Sequence, residues 1–322
     1  MKHICALCCA ALFALLASAV NGQSWPSKPI KLIVPFTPGG SQDVIGRLFA
    51  QKVSETLGQQ IVVENKAGAG GQIATQEVAR AAPDGYTLLL STGAQMAIEP
   101  SLRASVGYAP LKDFVHIDHL ADAPLVLLAV PTLPVSDARE LIAFSKAHPG
   151  KVNTASTGNG TYTHLTIELF KAATGADLTH IAYKGAAPAF TDMLGGQVQT
   201  MFTTTASAQP YTSTHRLKAL AVTSKKRSPL LPSTPTFAEQ GVPQLDVSVW
   251  IGIAAPAGTP SAVIERLSAE FNKALALPDV KEKLAALGVD PVGGTSQAFT
   301  QFVRGDIERW SKIIAAAGVK PE

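Results

Sequence analysis

From residue 29 onward, short unbroken apolar runs alternate with longer segments whose apolar positions recur every three or four residues. Runs of the first kind read as strands buried on both faces, and segments of the second kind as amphipathic helices. Ile30 to Phe36 is such a strand, halted by Thr37-Pro38-Gly39-Gly40. The helix expected after it has Val44, Leu48 and Val53 on its apolar face. Gln60 to Glu64 is a second strand, broken by the small residues that end at Gly71. A helix from about Gln72 to Ala81, a turn at Pro83-Asp84-Gly85 and a third strand from Tyr86 to Leu90 complete the first unit.

The rhythm resumes with strands at Leu125 to Val130, Lys151 to Ala155, Thr179 to Tyr183, Val198 to Phe202 and Leu217 to Thr223. Helices are expected within Val135 to Ala147, over Tyr162 to Ala173 and through Met193. A strand from Val247 to Ala254 precedes a helical remainder: Ser261 to Ala276, Val280 to Leu287 and Gln297 to Ala317. Alternating strands and helices imply an α/β fold with parallel sheets. Two such units in series, joined by no linker rich in Pro, Gly or Ser, suggest two lobes. The chain is expected to leave the first lobe near residue 125 and to return near 247, which gives a two-segment hinge. Residues 23–125 and 247–322 then form one lobe, and 126–246 the other.

The first residues change the picture of where the chain works. Lys2, an uncharged apolar run from Ile4 to Val20, and the small residues Ala17-Ser18-Ala19 have the order of a secretory signal peptide, taken as residues 1–22. The run is short for a spanning helix, which needs roughly 20 apolar residues. All three cysteines, Cys5, Cys8 and Cys9, lie inside it. The mature chain can therefore hold no disulfide, thiolate metal site or cysteine nucleophile, which suits a bacterial periplasm. Removal of the segment leaves 26 basic against 24 acidic residues. Lys225-Lys226-Arg227 is the only basic run and reads as a solvated loop, so no nucleic-acid partner is expected.

Three segments share a further design, an apolar strand, a loop of small residues and then a helix: Pro38-Gly39-Gly40-Ser41, Gly68-Ala69-Gly70-Gly71 and Ser156 to Thr161. Small residues admit a ligand close to the backbone, and a helix start offers unpaired N–H groups and a positive dipole end. Such loops can hold a carboxylate without Lys or Arg. They can also be ordinary turns with Ser, Thr or Asp caps. Ser91-Thr92-Gly93 could add hydroxyls, and Lys184 a counter-charge. Enzyme signatures are thin. Nucleotide loops and a Gly-x-Ser-x-Gly elbow are missing. His116 and His119, three apart, do not make a metal-ligand pattern by themselves, and His164 reads as a structural donor. Asp43 reads as a brace for the first helix or a ligand contact, and Trp250 as core or as an apolar wall of the cleft.

The stretch Val34-Pro35-Phe36-Thr37-Pro38-Gly39-Gly40-Ser41-Gln42-Asp43 resembles the opening motif of the tripartite tricarboxylate transporter solute receptors, the Bug proteins. The resemblance continues through Val62 to Gly71, Pro83 to Thr87, Ser156 to Thr161 with His164-Leu165, Ala182 to Ala189, Leu220 to Thr223, Trp250-Ile251-Gly252 and Ala255 to Pro260. It implies a type II periplasmic binding protein, or Venus flytrap, that performs no catalysis and needs no cofactor or metal. A ligand carboxylate would lie between the lobes, held by backbone groups, hydroxyls and bridging waters. Contacts carried over by position are Phe36, Gly39, Gly40, Ala69, Gly70 and Ser91 in the first lobe. The second lobe would offer Ser156, Thr157, Thr161 and Tyr183, with Trp250 near the hinge.

One departure concerns the ligand. Many relatives carry an Asp after the Met-Phe pair, whereas Met201-Phe202 here precedes Thr203-Thr204-Thr205. Hydroxyls cannot neutralise an ammonium, so a carboxylate without an amino group is expected, unless Asp43 or Glu99 enters the cleft. Glu99-Pro100 itself stands where Asn-Pro is commoner. The resemblance implies a monomer that hands its solute to membrane permease subunits. The other readings are a secreted sensory receptor that signals through a sensor kinase, and a secreted hydrolase or lyase.

Overall fold

The computed structural model describes residues 25–321. The expected signal peptide and its cysteines lie outside the described residues. None of the described helices is long and apolar enough to cross a membrane.

The first half opens with β1 (Ile30–Val34), α1 (Ser41–Leu57), β2 (Ile61–Asn65), α2 (Gln72–Ala79) and β3 (Thr87–Thr92). Strand β1 lies between β2 and β3, parallel to both. Its side chains alternate between two cores. Ile30, Leu32 and Val34 pack on one face of the sheet with Phe49, Leu267 and Phe271, and Ile33 packs on the other with Val78 and Phe299. That two-sided burial is why the run carries no polar alternation. Helix α1 stops where Gly58 turns left-handed (φ 72°) and donates its N–H to the Ser54 carbonyl. Its buried face is Ile45, Leu48, Phe49 and Val53; Leu48 and Val53 are buried as expected, while Val44 is exposed and Ile45 takes its place.

After β3 the chain makes a π-turn at Ala94–Ile98 and a short helix, α3 (Glu99–Leu102), then enters β4 (Phe114–Ala129). This 16-residue strand serves both halves of the molecule. Phe114 to Pro124 pairs antiparallel with β9 (Ser248–Pro256), and Leu125 to Ala129 pairs antiparallel with β7 (Thr200–Thr204). The change of partner falls at Pro124, which has no N–H to give a ladder. The second half contains α4 (Ala138–Ala147), β5 (Asn153–Ser156), α5 (Tyr162–Thr174), β6 (Thr179–Ala182), α6 (Ala186–Leu194), β7, α7 (Thr205–Thr212) and β8 (Lys218–Val222). Strand β5 is parallel to β6 and β7. The remainder is α8 (Ser261–Ala276), α9 (Pro278–Ala286), β10 (Asp290–Pro291) and α10 (Ser296–Ala317).

The sheets are mixed rather than wholly parallel. Both strands that carry the chain between the halves, β4 and β9, run antiparallel to their neighbours. Each is reached without a right-handed crossover helix, so the rule that makes the β1–β3 and β5–β7 units parallel does not apply to them. Helix α10 is a third link. Phe299 and Val303 pack on the first sheet, and Trp310 and Ile314 belong to the core of the second half. The architecture is that of a two-lobed periplasmic binding fold.

Candidate functional site

Between the halves lies a cavity of about 640 Å³, lined from both sides. Of the twelve residues singled out from sequence, Phe36, Gly40, Gly70, Thr157, Thr161 and Thr203 line it. Leu125 of β4 and Val249 of β9 bring the two crossing strands into the lining, and Ala94 and Ile98 of the π-turn extend its apolar surface.

Four helix starts meet this space. Helix α1 begins after Gly40 and α6 after Gly185, and neither residue offers a side-chain cap. Thr161 begins α5, where its hydroxyl accepts from the His164 N–H, and Thr204 begins α7 and accepts from the Ser207 N–H. Each helix leaves first-turn N–H groups without a helical acceptor, and each dipole points its positive end at the cavity. The loops are shaped for that approach. Gly158 (φ 145°) carries the chain past the Thr157–Thr161–Thr163 hydroxyl cluster, whose members lie 2.9 to 3.4 Å apart.

The other six expected contacts sit elsewhere. Gly39 gives its N–H to Asp43 Oδ2 at 2.9 Å, and Ala69 is buried in neither lobe but opens a tight turn at positive φ (47°). Ser91 is wholly buried in β3, opposite Gly252. Ser156 is also buried, with its hydroxyl 2.7 Å from His180 Nε2. Tyr183 donates to Asp192 at 2.8 Å, and burial together with that carboxylate pushes its phenol up to about 12. Trp250 is core. It is fully buried among Phe299, Phe302 and His119, and its indole donates to Asp306 at 2.7 Å. Strand pleating explains the placement of Trp250. Successive side chains face opposite ways, so Val249 points into the cavity and Trp250 away from it.

Asp43 is the brace rather than a ligand contact. It takes Arg47 Nε at 3.0 Å and Asn65 Nδ2 at 2.8 Å besides the Gly39 N–H. Burial works to raise its carboxyl, but Arg47, Gly39 and Asn65 together hold it below the usual range. Sequence reasoning passed over Gln42, Asn159, Tyr162, Ala186 and Ser207, all of which line the cavity. Their closeness to the small-residue loops was the available signal. Glu99 lines it as well.

The contact between Ser156 and His180 has the outward form of a nucleophile and base. Ser156 is sealed from the cavity, and the His180 ring stacks on His164 at 3.8 Å. Burial pushes both imidazoles down to about 4, so they stay neutral. Among the described residues, His180 makes no hydrogen bond to a carboxylate that could orient it, and the pair serves packing. A second cavity, of about 520 Å³, includes Asp122, Lys225, Asp246 and Arg309. Among its charges, Lys225 reaches Asp246 at 3.5 Å, and Arg309 donates to the Asp246 carbonyl at 2.7 Å. The first cavity, with four helix starts and few charges, is the better seat for a small anion.

Comparison with known proteins agrees with this geometry. Residues 45–319 match the model of the tripartite tricarboxylate transporter family receptor. Protein BugT of Bordetella pertussis is 40% identical over 306 residues, covering 95% of this chain and 94% of that protein. The structure of an R. palustris protein with adipate is 34% identical, with a TM-score of 0.78 over 92% of this chain and 100% of that one. MatC from Rhodopseudomonas palustris with bound malate is 32% identical, with a TM-score of 0.73 over 90% of this chain and 100% of that one. On the family match, the sequence identity and the shared two-lobed fold, the chain belongs to the tripartite tricarboxylate transporter receptor family.

Proposed function

We propose that this protein is a periplasmic receptor that captures a small carboxylate between two lobes and delivers it to the permease subunits of a tripartite transporter. The observation that carries the reading is the meeting of four helix N-termini, from both halves, on one cavity that no Lys or Arg lines among the described residues. Backbone N–H groups and hydroxyls bind a carboxylate firmly and bring no competing positive side chain to be desolvated. The volume of about 640 Å³ suits a small molecule. Adipate and malate in the related structures make short dicarboxylates the first candidates. The lobes are assigned as residues 23–125 with 247–322, and 126–246, and the last turns of α10 lie against the second. Export through the signal peptide, action as a monomer and absence of turnover belong to the same proposal.

A thermal-shift series over aliphatic mono- and dicarboxylates and aromatic acids tests it. A ligand at about one hundred times its Kd adds roughly 2.7 kcal/mol of stability, a rise in Tm of a few degrees. If no acid raises Tm or gives heat in calorimetry, the reading fails.

A further inference from the structure

Among the described residues, Glu99 is the only acidic or basic side chain lining the cleft. A lone carboxylate in a site built to attract an anion calls for a reason. Its two oxygens are used differently. Oε2 accepts from Gln72 Nε2 at 3.0 Å and from Arg103 Nε at 2.7 Å. Among the described residues, Oε1 has no hydrogen-bond partner. It lies 3.3 Å from the point where a side chain on Gly70 would begin, beside one of the three small-residue loops. The carboxylate is also held still. It stands at the start of α3, clipped on one oxygen by Gln72 of α2 and by Arg103 just past the end of α3, and only a fifth of its side chain is exposed.

Resting on the receptor reading, we infer that Glu99 is a specificity residue. Its Oε1 accepts a hydrogen bond from a donor on the ligand, a hydroxyl or an ammonium, and turns a second carboxylate away from the Gly70 loop. The bound solute is then polar in a defined sense. Its carboxylate lies toward the helix starts at Gly40, Thr161, Ala186 and Thr204, and its donor faces Glu99. An acceptor without a partner in a cleft that closes on its ligand costs free energy, and a ligand donor removes that cost. A ligand carboxylate at the same place meets like charge in a medium of low dielectric. The neutral threonines at 203 to 205 therefore do not set the ligand class by themselves, because the fold supplies an acceptor from the other lobe.

Calorimetry on acids that differ only in the donor tests this: succinate, malate and aspartate; glutarate, 2-hydroxyglutarate and glutamate; benzoate, 4-hydroxybenzoate and 4-aminobenzoate. In whichever series binds, the donor-bearing acids should bind at least tenfold tighter than the parent. The hydroxyl and amino members separate the two forms of donor. Glu99→Gln should bring the parent and at least one donor-bearing acid to within threefold of each other. Arg103→Gln breaks the clip but keeps the carboxylate, and should retain the preference. A parent acid that binds as tightly as its derivatives, or a preference that survives Glu99→Gln undiminished, overturns the role of Glu99 and leaves the receptor reading intact. Binding in none of these series, with no response in the wider thermal-shift series either, removes both.

Discussion

Gly40 and Gly70 both line the cleft, yet only one is a clean probe of it. Gly70 has φ 63°, and a side chain there would also crowd Glu99, so substitution mixes strain with lost binding. Gly40 has φ −71°, which any residue adopts, and its nearest neighbour to a new Cβ is the Thr37 carbonyl at 3.6 Å. Gly40→Asp can fold normally while it places a carboxylate at the start of α1, where the ligand's own carboxylate is expected. We expect affinity to fall at least a hundredfold in calorimetry with Tm within a few degrees of the parent. Binding at the parent strength would take the α1 start out of the site. Glycine 93 is different in kind. Its conformation is ordinary (φ −65°), but a Cβ there would run into the Tyr162 hydroxyl and Trp250 Nε1. It is small because two other side chains need its space.

At the scale of elements, β4 and α8 are joined by a buried polar contact that carries a pH signature. Asp118 lies at a register shift in the β4–β9 pairing and accepts from Asn272 of α8, which also bonds the Ser268 carbonyl at 2.8 Å and the Gly294 carbonyl at 2.9 Å. No cation pairs with Asp118 among the described residues. Burial pushes its carboxyl up to about 7. A carboxyl raised in the folded state favours folding at low pH, and that advantage is lost as pH climbs from the ordinary carboxylate range through about 7. Asp118→Asn removes the titration. Relative to the parent, the variant should gain stability between pH 5 and pH 8, by about 3 kcal/mol at most. Urea melts at the two pH values provide the measurement, and a stability difference unchanged between them would contradict the prediction. Because the comparison is between variant and parent, opposing titrations elsewhere, such as that of buried His116, cancel.

Over the whole molecule, the halves touch where Tyr162 of α5 meets Gly93 after β3. We expect that contact, together with the crossing strands and α10, to set how near the lobes can come. Gly93→Ala should hold them apart. Binding should weaken more than tenfold, and small-angle scattering should show a larger radius of gyration than the parent at saturating ligand. Tyr162→Phe added to Gly93→Ala removes the clashing hydroxyl and should restore part of both. A single variant with the parent's affinity and radius would show that this contact does not limit closure. Ligand contacted by both lobes favours the closed arrangement only through such differential contacts.

Much of this fold could be read along the chain because it is local. Strands such as Ile30–Val34 are buried on both faces, so their apolar runs stand out whichever helices cover them, and α8 occupies the residues its periodicity predicts. The ordered motifs also placed the chain among its relatives. Other features were decided by residues distant in sequence, for which periodicity carries no signal. Of the long β4, only the part from Leu125 onward reads as a strand along the chain, because Pro124 and two register shifts break the pattern before it, although one strand serves both sheets. The small-residue loops were recognisable, but which of them open on the cleft depends on pleat and on long-range partners. Ser91 faces β9, Ser156 is claimed by His180, and Trp250 by Asp306, 56 residues away. Glu99 shows the division most plainly. Its charge is written in the sequence, but its place beside Gly70 and its one unpartnered oxygen exist only because Gln72 and Arg103 hold it there. Local pattern determines which face of an element is apolar, whereas a binding site is made by groups brought together only when the lobes pack.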